Sequence, residues 1–200
     1  MTINKIIYYG CLAIALFPLS GCETDDPIRE DVPELITKVT LTFTPADGGE
    51  PIVGTATDPD GDGVQDIQVD GPIHLSAKTN YSLDITLINA LAQPTDPEYN
   101  VTEEVEEEAD EHIFFFSWTE GLFSDPAGNG NSDNRNDAMN YADEDNNGFP
   151  LGLNTSWTTG DAGSGDFRVI LKHQPDIKAA TSDATVGETD VDIAFEIQIQ

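Results

Sequence analysis

The sequence predicts an all-β fold, an antiparallel immunoglobulin-like β-sandwich interrupted by a long Asp/Asn/Gly-rich loop. Three observations predict it. Four segments alternate apolar and polar residues with a period of two, one short segment is apolar on both parities, and no long stretch keeps a helical period of 3.6. A closed barrel is the alternative use of the same strands.

The elements follow in chain order. Residues 1–21, "MTINKIIYYGCLAIALFPLSG", carry the single charge of Lys5, then an apolar run, then small residues. This is the pattern of a cleaved secretory signal. The run is shorter than the roughly 20 residues a spanning helix needs, and Gly10 and Pro18 interrupt it. Residues 22–34, "CETDDPIREDVPE", are acidic and proline-bearing and read as a solvated tether. Residues 35–200 then form a single β domain. In "ITKVTLTFTP", Val39, Leu41 and Phe43 share one face and Thr40, Thr42 and Thr44 the other. Further strands are expected at 50–56 and at 66–76, the second bent at Gly71-Pro72. The same alternation aligns Tyr81, Leu83, Ile85 and Leu87, then Phe167, Val169 and Leu171, and finally Val191, Ile193, Phe195, Ile197 and Ile199. "HIFFFSW" at 112–118 is expected to be a central strand covered on both faces. Residues 120–150 are too rich in Gly, Asn and Asp for a strand, and are expected to form a long ordered loop or an insertion with one short helix near 134–142.

Charge narrows the partners. The chain holds 38 acids against 8 Lys and Arg, for a net charge of −30, and every acid lies after residue 21. Nucleic acid and anionic lipid are therefore poor partners, and bound cations would relieve the self-repulsion. Cys11 leaves with the signal and Cys22 is left without a disulfide partner.

"DPDGDGVQD" has the spacing of an oxygen cage for calcium. Asp58, Asp60 and Asp62 stand at alternate positions, Gly63 allows the turn, the Val64 carbonyl follows, and Asp66 comes two residues later. The loop resembles those of EF-hands and, more closely, thrombospondin type 3 repeats. It departs from the EF-hand at its twelfth position, where Val69 replaces the bidentate glutamate, and it has no flanking helices. A plain Asp/Pro/Gly turn is the other reading. "DEDNNG" repeats the spacing with Asp143, Asp145 and Asn147, so a structural Ca²⁺ there would order the long loop. "EEVEEEADE" at 103–111 has seven acids in nine positions, and reads as a solvated face or a mobile acidic hairpin.

The three histidines, His74, His112 and His173, lack local His-x-His grammar. His112 shares parity with Phe114, Phe116 and Trp118, while His173 extends the row of Phe167, Val169 and Leu171. The two can meet at strand ends, with Glu111 or Asp110 beside them, on zinc or copper. Satisfied rim histidines are the alternative. Catalysis has little support: there is no G-x-S-x-G, no H-E-x-x-H, no P-loop and no free cysteine after processing. The aromatics Trp118, Trp157, Tyr141, Phe123 and Phe149 offer either a sugar platform or a core.

Leu19-Ser20-Gly21-Cys22 resembles the bacterial lipobox, whose cysteine becomes the acylated first residue of the mature chain. Two or three acyl chains (palmitate and its like), at about 0.8 kcal/mol per buried methylene, anchor a protein durably. The acids immediately behind Cys22 resemble the signal that sends bacteroidete-type lipoproteins to the outer face of the outer membrane; a periplasm-facing anchor is the alternative. Together, "GCETDDP", "PELITKVTLTFTP", "TATDPDGDGVQD", "PTDPEYNVTEEVEEEADEH", "FFFSW", "FSDPAGNGN" and "GLNTSWTTG" resemble a family of small acidic bacteroidete-type surface lipoproteins, some of them labelled type 1 periplasmic-binding-fold proteins. That label describes a larger α/β fold with helices between parallel strands, which this chain lacks. The resemblance implies the company of a TonB-dependent outer-membrane receptor, and with the calcium-like loop and the missing catalytic motifs the first reading is a non-enzymatic binding or accessory protein of such a receptor, holding structural calcium. A carbohydrate-binding or adhesin-like module is the second reading and a glycan hydrolase the third.

Overall fold

Alternation becomes two sheets with one shared core. The structure is a computed structural model that describes residues 34–61 and 67–200. The signal segment, Cys22, the tether up to residue 33, and Asp62, Val64 and Asp66 lie outside the described residues. The strands are β1 (Lys38–Pro45), β2 (Ile52–Thr57), β3 (Gln68–Val69), β4 (Ile73–Leu75), β5 (Asn80–Ile88), β6 (His112–Trp118), β7 (Phe123–Asp125), β8 (Asn154–Thr159), β9 (Gly163–His173) and β10 (Glu188–Ile199). One sheet runs β3-β2-β1-β5-β8-β7 and the other β4-β10-β9-β6.

The alternating rows point inward as the pattern requires. Val39, Leu41, Phe43, Leu83, Leu87, Phe167, Val169 and Phe195 are fully buried. The sheets meet through aromatics: Trp157 of β8 stands perpendicular to Phe167 of β9 at 5.1 Å, and Phe43 of β1 lies 6.1 Å from the same Phe167 ring. Such edge-to-face pairs fill volume while matching ring quadrupoles. Trp118, Phe123 and Trp157 are all in this core, so they present no exposed sugar platform.

Four expectations need correction. The strand expected at 66–76 is two short strands in different sheets, because Gly71 at φ +132 and Pro72, which has no amide proton, break the ladder between them. Once across, β4 pairs parallel to β10, so the fold is not purely antiparallel. The segment near 134–142 forms turns rather than a helix, while a helix does form at α1 (Val101–Glu107), within the acidic run. Val101 and Val105, four apart, are its buried stripe, and the intervening acids face water. Residues 120–150 also contribute the three-residue strand β7.

The fourth correction concerns β6. Ile113, Phe114, Phe115 and Phe116 are fully buried, so both faces are covered, yet β6 is at the end of its sheet. The outward Ile113 and Phe115 pack with Ile170 under Ala184. The long loop takes the place of the missing neighbour strand. The amides of Phe114, Phe116 and Trp118 donate to the Leu151 carbonyl (2.7 Å), the Asn131 side-chain oxygen (3.0 Å) and the Asn129 carbonyl (2.9 Å). In return the Asn131 amide donates to the Phe116 carbonyl at 2.9 Å, and the Tyr141 hydroxyl donates to the Phe114 carbonyl at 2.6 Å. Buried backbone groups need such partners, and here a loop supplies them.

Two tests follow from this seal. Gly130 sits at φ +102, and a Cβ added there would lie 2.1 Å from the Phe116 carbonyl oxygen. Gly130→Ala is expected to destabilise the domain by about 2 kcal/mol or more, combining left-handed strain with a backbone clash; thermal unfolding measures it, and an unchanged melting temperature would mean the loop is not docked. Burial pushes the Tyr141 hydroxyl up from 10 to about 12, although the bond from Asn131 opposes this. The folded state holds this proton more tightly, so its contribution is complete below pH 10 and is lost as pH rises through about 12. At about 1.4 kcal/mol per pKa unit, that is up to about 3 kcal/mol. Denaturant titrations across this window should show the slope in the native protein and lose it in Tyr141→Phe.

Candidate metal centre

The pairing of β6 with β9 places His112 directly opposite His173. Both side chains are on the inward parity, so the imidazoles stack at 4.6 Å between centroids and 6° between planes. Both are buried, at 0% and 5% exposure. Three other elements close in on them. α1, held to β5 by a bond from the Leu87 amide to the Thr102 hydroxyl (2.7 Å), ends at a turn that delivers Glu108. Glu34 approaches from the chain just ahead of β1. Asp190 comes from β10.

The contacts are specific. His112 Nδ1 lies 3.1 Å from the Glu108 carbonyl oxygen, and His112 Nε2 lies 3.0 Å from Glu34 Oε1. A carbonyl only accepts, so Nδ1 is the protonated nitrogen, and Nε2 then faces a carboxylate oxygen. Two lone pairs at that distance require a cation between them, a proton or a metal ion. Burial alone would drive the His112 imidazolium down, but the Glu34 carboxylate outweighs it and holds the group above its ordinary value. For Glu34 the burial cost is likewise outweighed by the His112 bond, and its carboxyl falls below the usual range. His173 Nε2 is 3.3 Å from Glu111 Oε2.

Asp190 is the residue that periodicity hides. Its register with β9 slips between Thr189 and Val191, a bulge that leaves Asp190 and Val191 both buried in succession. Burial, then the negative charge of Glu34, push its carboxyl up to about 7, with His112 and His173 pulling the other way. Asp190 is 3% exposed, and neither carboxylate oxygen has a hydrogen-bond partner among the described residues; Glu34 Oε2 has none either. Ligand atoms of Glu34, Glu108, His112 and His173 all lie within 4.8 Å of one another.

The other sequence-derived sites come out differently. His74 is exposed on β4 and takes no part in the cluster. Asp58 is buried, and its Oδ1 accepts the amides of Asp60 (3.1 Å) and Gly61 (3.0 Å), which hold its carboxyl below the usual range. In the second acidic loop, protein donors occupy the carboxylates. Asp143 accepts the amides of Gly152 (2.7 Å) and Asn154 (2.9 Å), and Asp145 Oδ1 accepts those of Asn147 (2.8 Å) and Phe149 (2.9 Å). Asp145 Oδ2 lies 3.0 Å from Lys178 Nζ, a pair in which each side chain is 1% exposed. Lys178 also donates to the Ala109 carbonyl at 2.6 Å, tying this loop to the turn after α1. Asn147 is exposed.

No family model matches the chain, and neither a curated protein nor a solved structure does. No helix among the described residues is long and apolar enough to cross a membrane.

Proposed function

We propose that the protein is a non-enzymatic lipoprotein anchored through Cys22 to the outer membrane and exposed at the cell surface. Its β domain, read as an immunoglobulin-like sandwich, serves as a binding or accessory partner of a TonB-dependent uptake receptor. The observation that carries this is Leu19-Ser20-Gly21-Cys22 with acids at once behind it, a tether of about a dozen residues before β1 begins at Lys38. The buried aromatic cluster favours a binding scaffold over a sugar platform, since its rings are spent on joining the sheets.

The mass of the native amino-terminal peptide tests the anchor. Cys22 is expected as the first residue, carrying a thioether-linked diacylglyceryl group, and Cys22→Ser is expected to leave the membrane fraction; an intact residue 1–21 segment or an unmodified thiol overturns the reading. Receptor partnership is tested by whether a barrel protein co-purifies from detergent-solubilised outer membrane.

The reading includes structural calcium at the 58–66 loop, where buried Asp58 folds the first turn around its own carboxylate. Calcium bound only by the folded state stabilises it by about 2.7 kcal/mol at about 100 times its Kd. A calcium-selective chelator is expected to lower the melting temperature, and Asp58→Asn, which keeps the acceptor but removes the charge, to abolish that response. A melt indifferent to calcium and chelator overturns this part alone.

A further inference from the structure

The stacked-histidine cluster has a chemistry of its own, distinct from an oxygen cage. Two imidazoles and two carboxylates are borderline donors that suit zinc, whereas calcium takes oxygen from six to eight ligands. Bonds of about 2.0–2.2 Å to a tetrahedral ion set donors a little over 3 Å apart, so atoms within 4.8 Å reach one ion by contracting and by one imidazole turning out of the parallel stack. The His112 Nδ1 bond to the Glu108 carbonyl is the orienting contact that metal-bound imidazoles carry, and it aims Nε2 into the cluster. Independently, the almost fully buried carboxylate of Asp190, with no hydrogen-bond partner on either oxygen among the described residues, leaves this corner of the cluster short of donors or positive charge.

We propose that Glu34, Glu108, His112 and His173 bind one zinc ion in a closed four-ligand site, with Asp190 as an outer carboxylate that balances its charge. Four protein ligands leave no open position, so the ion is structural. Glu34 is the last residue of the tether segment, whereas the other three ligands belong to α1's end, β6 and β9. Zinc therefore fastens the root of the tether to the body of the domain. The ion site stands on geometry alone; only this consequence for a membrane-held domain rests on the Cys22 reading.

The test uses the full chain, stripped of metal and titrated with Zn²⁺ against a chromophoric chelator, with circular dichroism confirming the fold of every variant. About one equivalent is expected to bind, with millimolar Ca²⁺ failing to displace it. His173→Gln and the near-isosteric Glu34→Gln are each expected to weaken binding at least about ten-fold, and His74→Gln to leave it unchanged. Zinc is also expected to slow glutamyl-endopeptidase cleavage after Glu34, read by mass spectrometry, in the wild type but not in His173→Gln. A folded wild type that retains no zinc overturns the proposal, as does affinity untouched by either ligand substitution or lost equally in His74→Gln. Because none of these measurements depends on acylation, their failure is distinguishable from an unmodified Cys22.

Discussion

A strand buried on both faces cannot stop at a bare edge, and β6 is such a strand at the end of its sheet. Its amides and carbonyls are out of reach of water, so each must be met by protein, at a penalty of about 1–3 kcal/mol for every group left alone. This one requirement organises the irregular half of the molecule. Asn129, Asn131, Tyr141 and Leu151 form a substitute strand from a loop, and the segment after β9 covers Ile113 and Phe115. Gln174 fixes that covering segment, donating through its side chain to the carbonyls of Asp183 and Val186. The first residue of the same strand, His112, is thereby carried into a site from which solvent is excluded.

The regular half of the fold was legible because half-buried strands write their burial into sequence as a period of two. Val39, Leu41 and Phe43, or Ile193, Phe195 and Ile197, could be placed inward without knowledge of the topology. β6 shows where that reasoning stops. Apolar residues on both parities report burial on both faces, but they do not say whether the flanking neighbour is a strand or a loop. Asn129 and Asn131, two apart as strand-facing residues would be, were the only local sign, and Asn and Gly beside them pointed equally to a turn. The loop's order was expected to need a cation. Hydrogen bonds to β6 and the buried Lys178–Asp145 pair also hold it in place.

The candidate metal cluster was half visible. Parity put His112 and His173 at the ends of inward rows, which was enough to suggest that they meet. Glu34, Glu108 and Asp190 were not visible, for three separate physical reasons. Glu34 belongs to a segment whose composition reads as a solvated tether, and tertiary contact overrides that. Glu108 depends on α1, whose two valines make too short a stripe to stand out among acids. Asp190 alternates with Asp192 as though both faced water, until a bulge shifts the register and turns Asp190 inward, while Asp192 stays outside to pair with Arg168. Bulges insert one residue without marking the sequence, so periodicity cannot find the residues they redirect.

Charge explains why the cluster matters to a chain this acidic. Most of the acids sit in water, where screening over about 8–10 Å makes their repulsion tolerable. Glu34 and Asp190 do not: both side chains are almost wholly enclosed, beside a helix end that supplies further acids. One imidazolium at His112 balances one of these carboxylates. The second must hold its proton, which burial at Asp190 favours, or share a second positive charge. Protonation and a divalent ion are thus competing solutions to the same surplus. The two imidazoles, parallel within 6° and 4.6 Å apart, suit the protonated solution as they stand, and an ion would have to turn one ring out of the stack to bring both nitrogen lone pairs onto it.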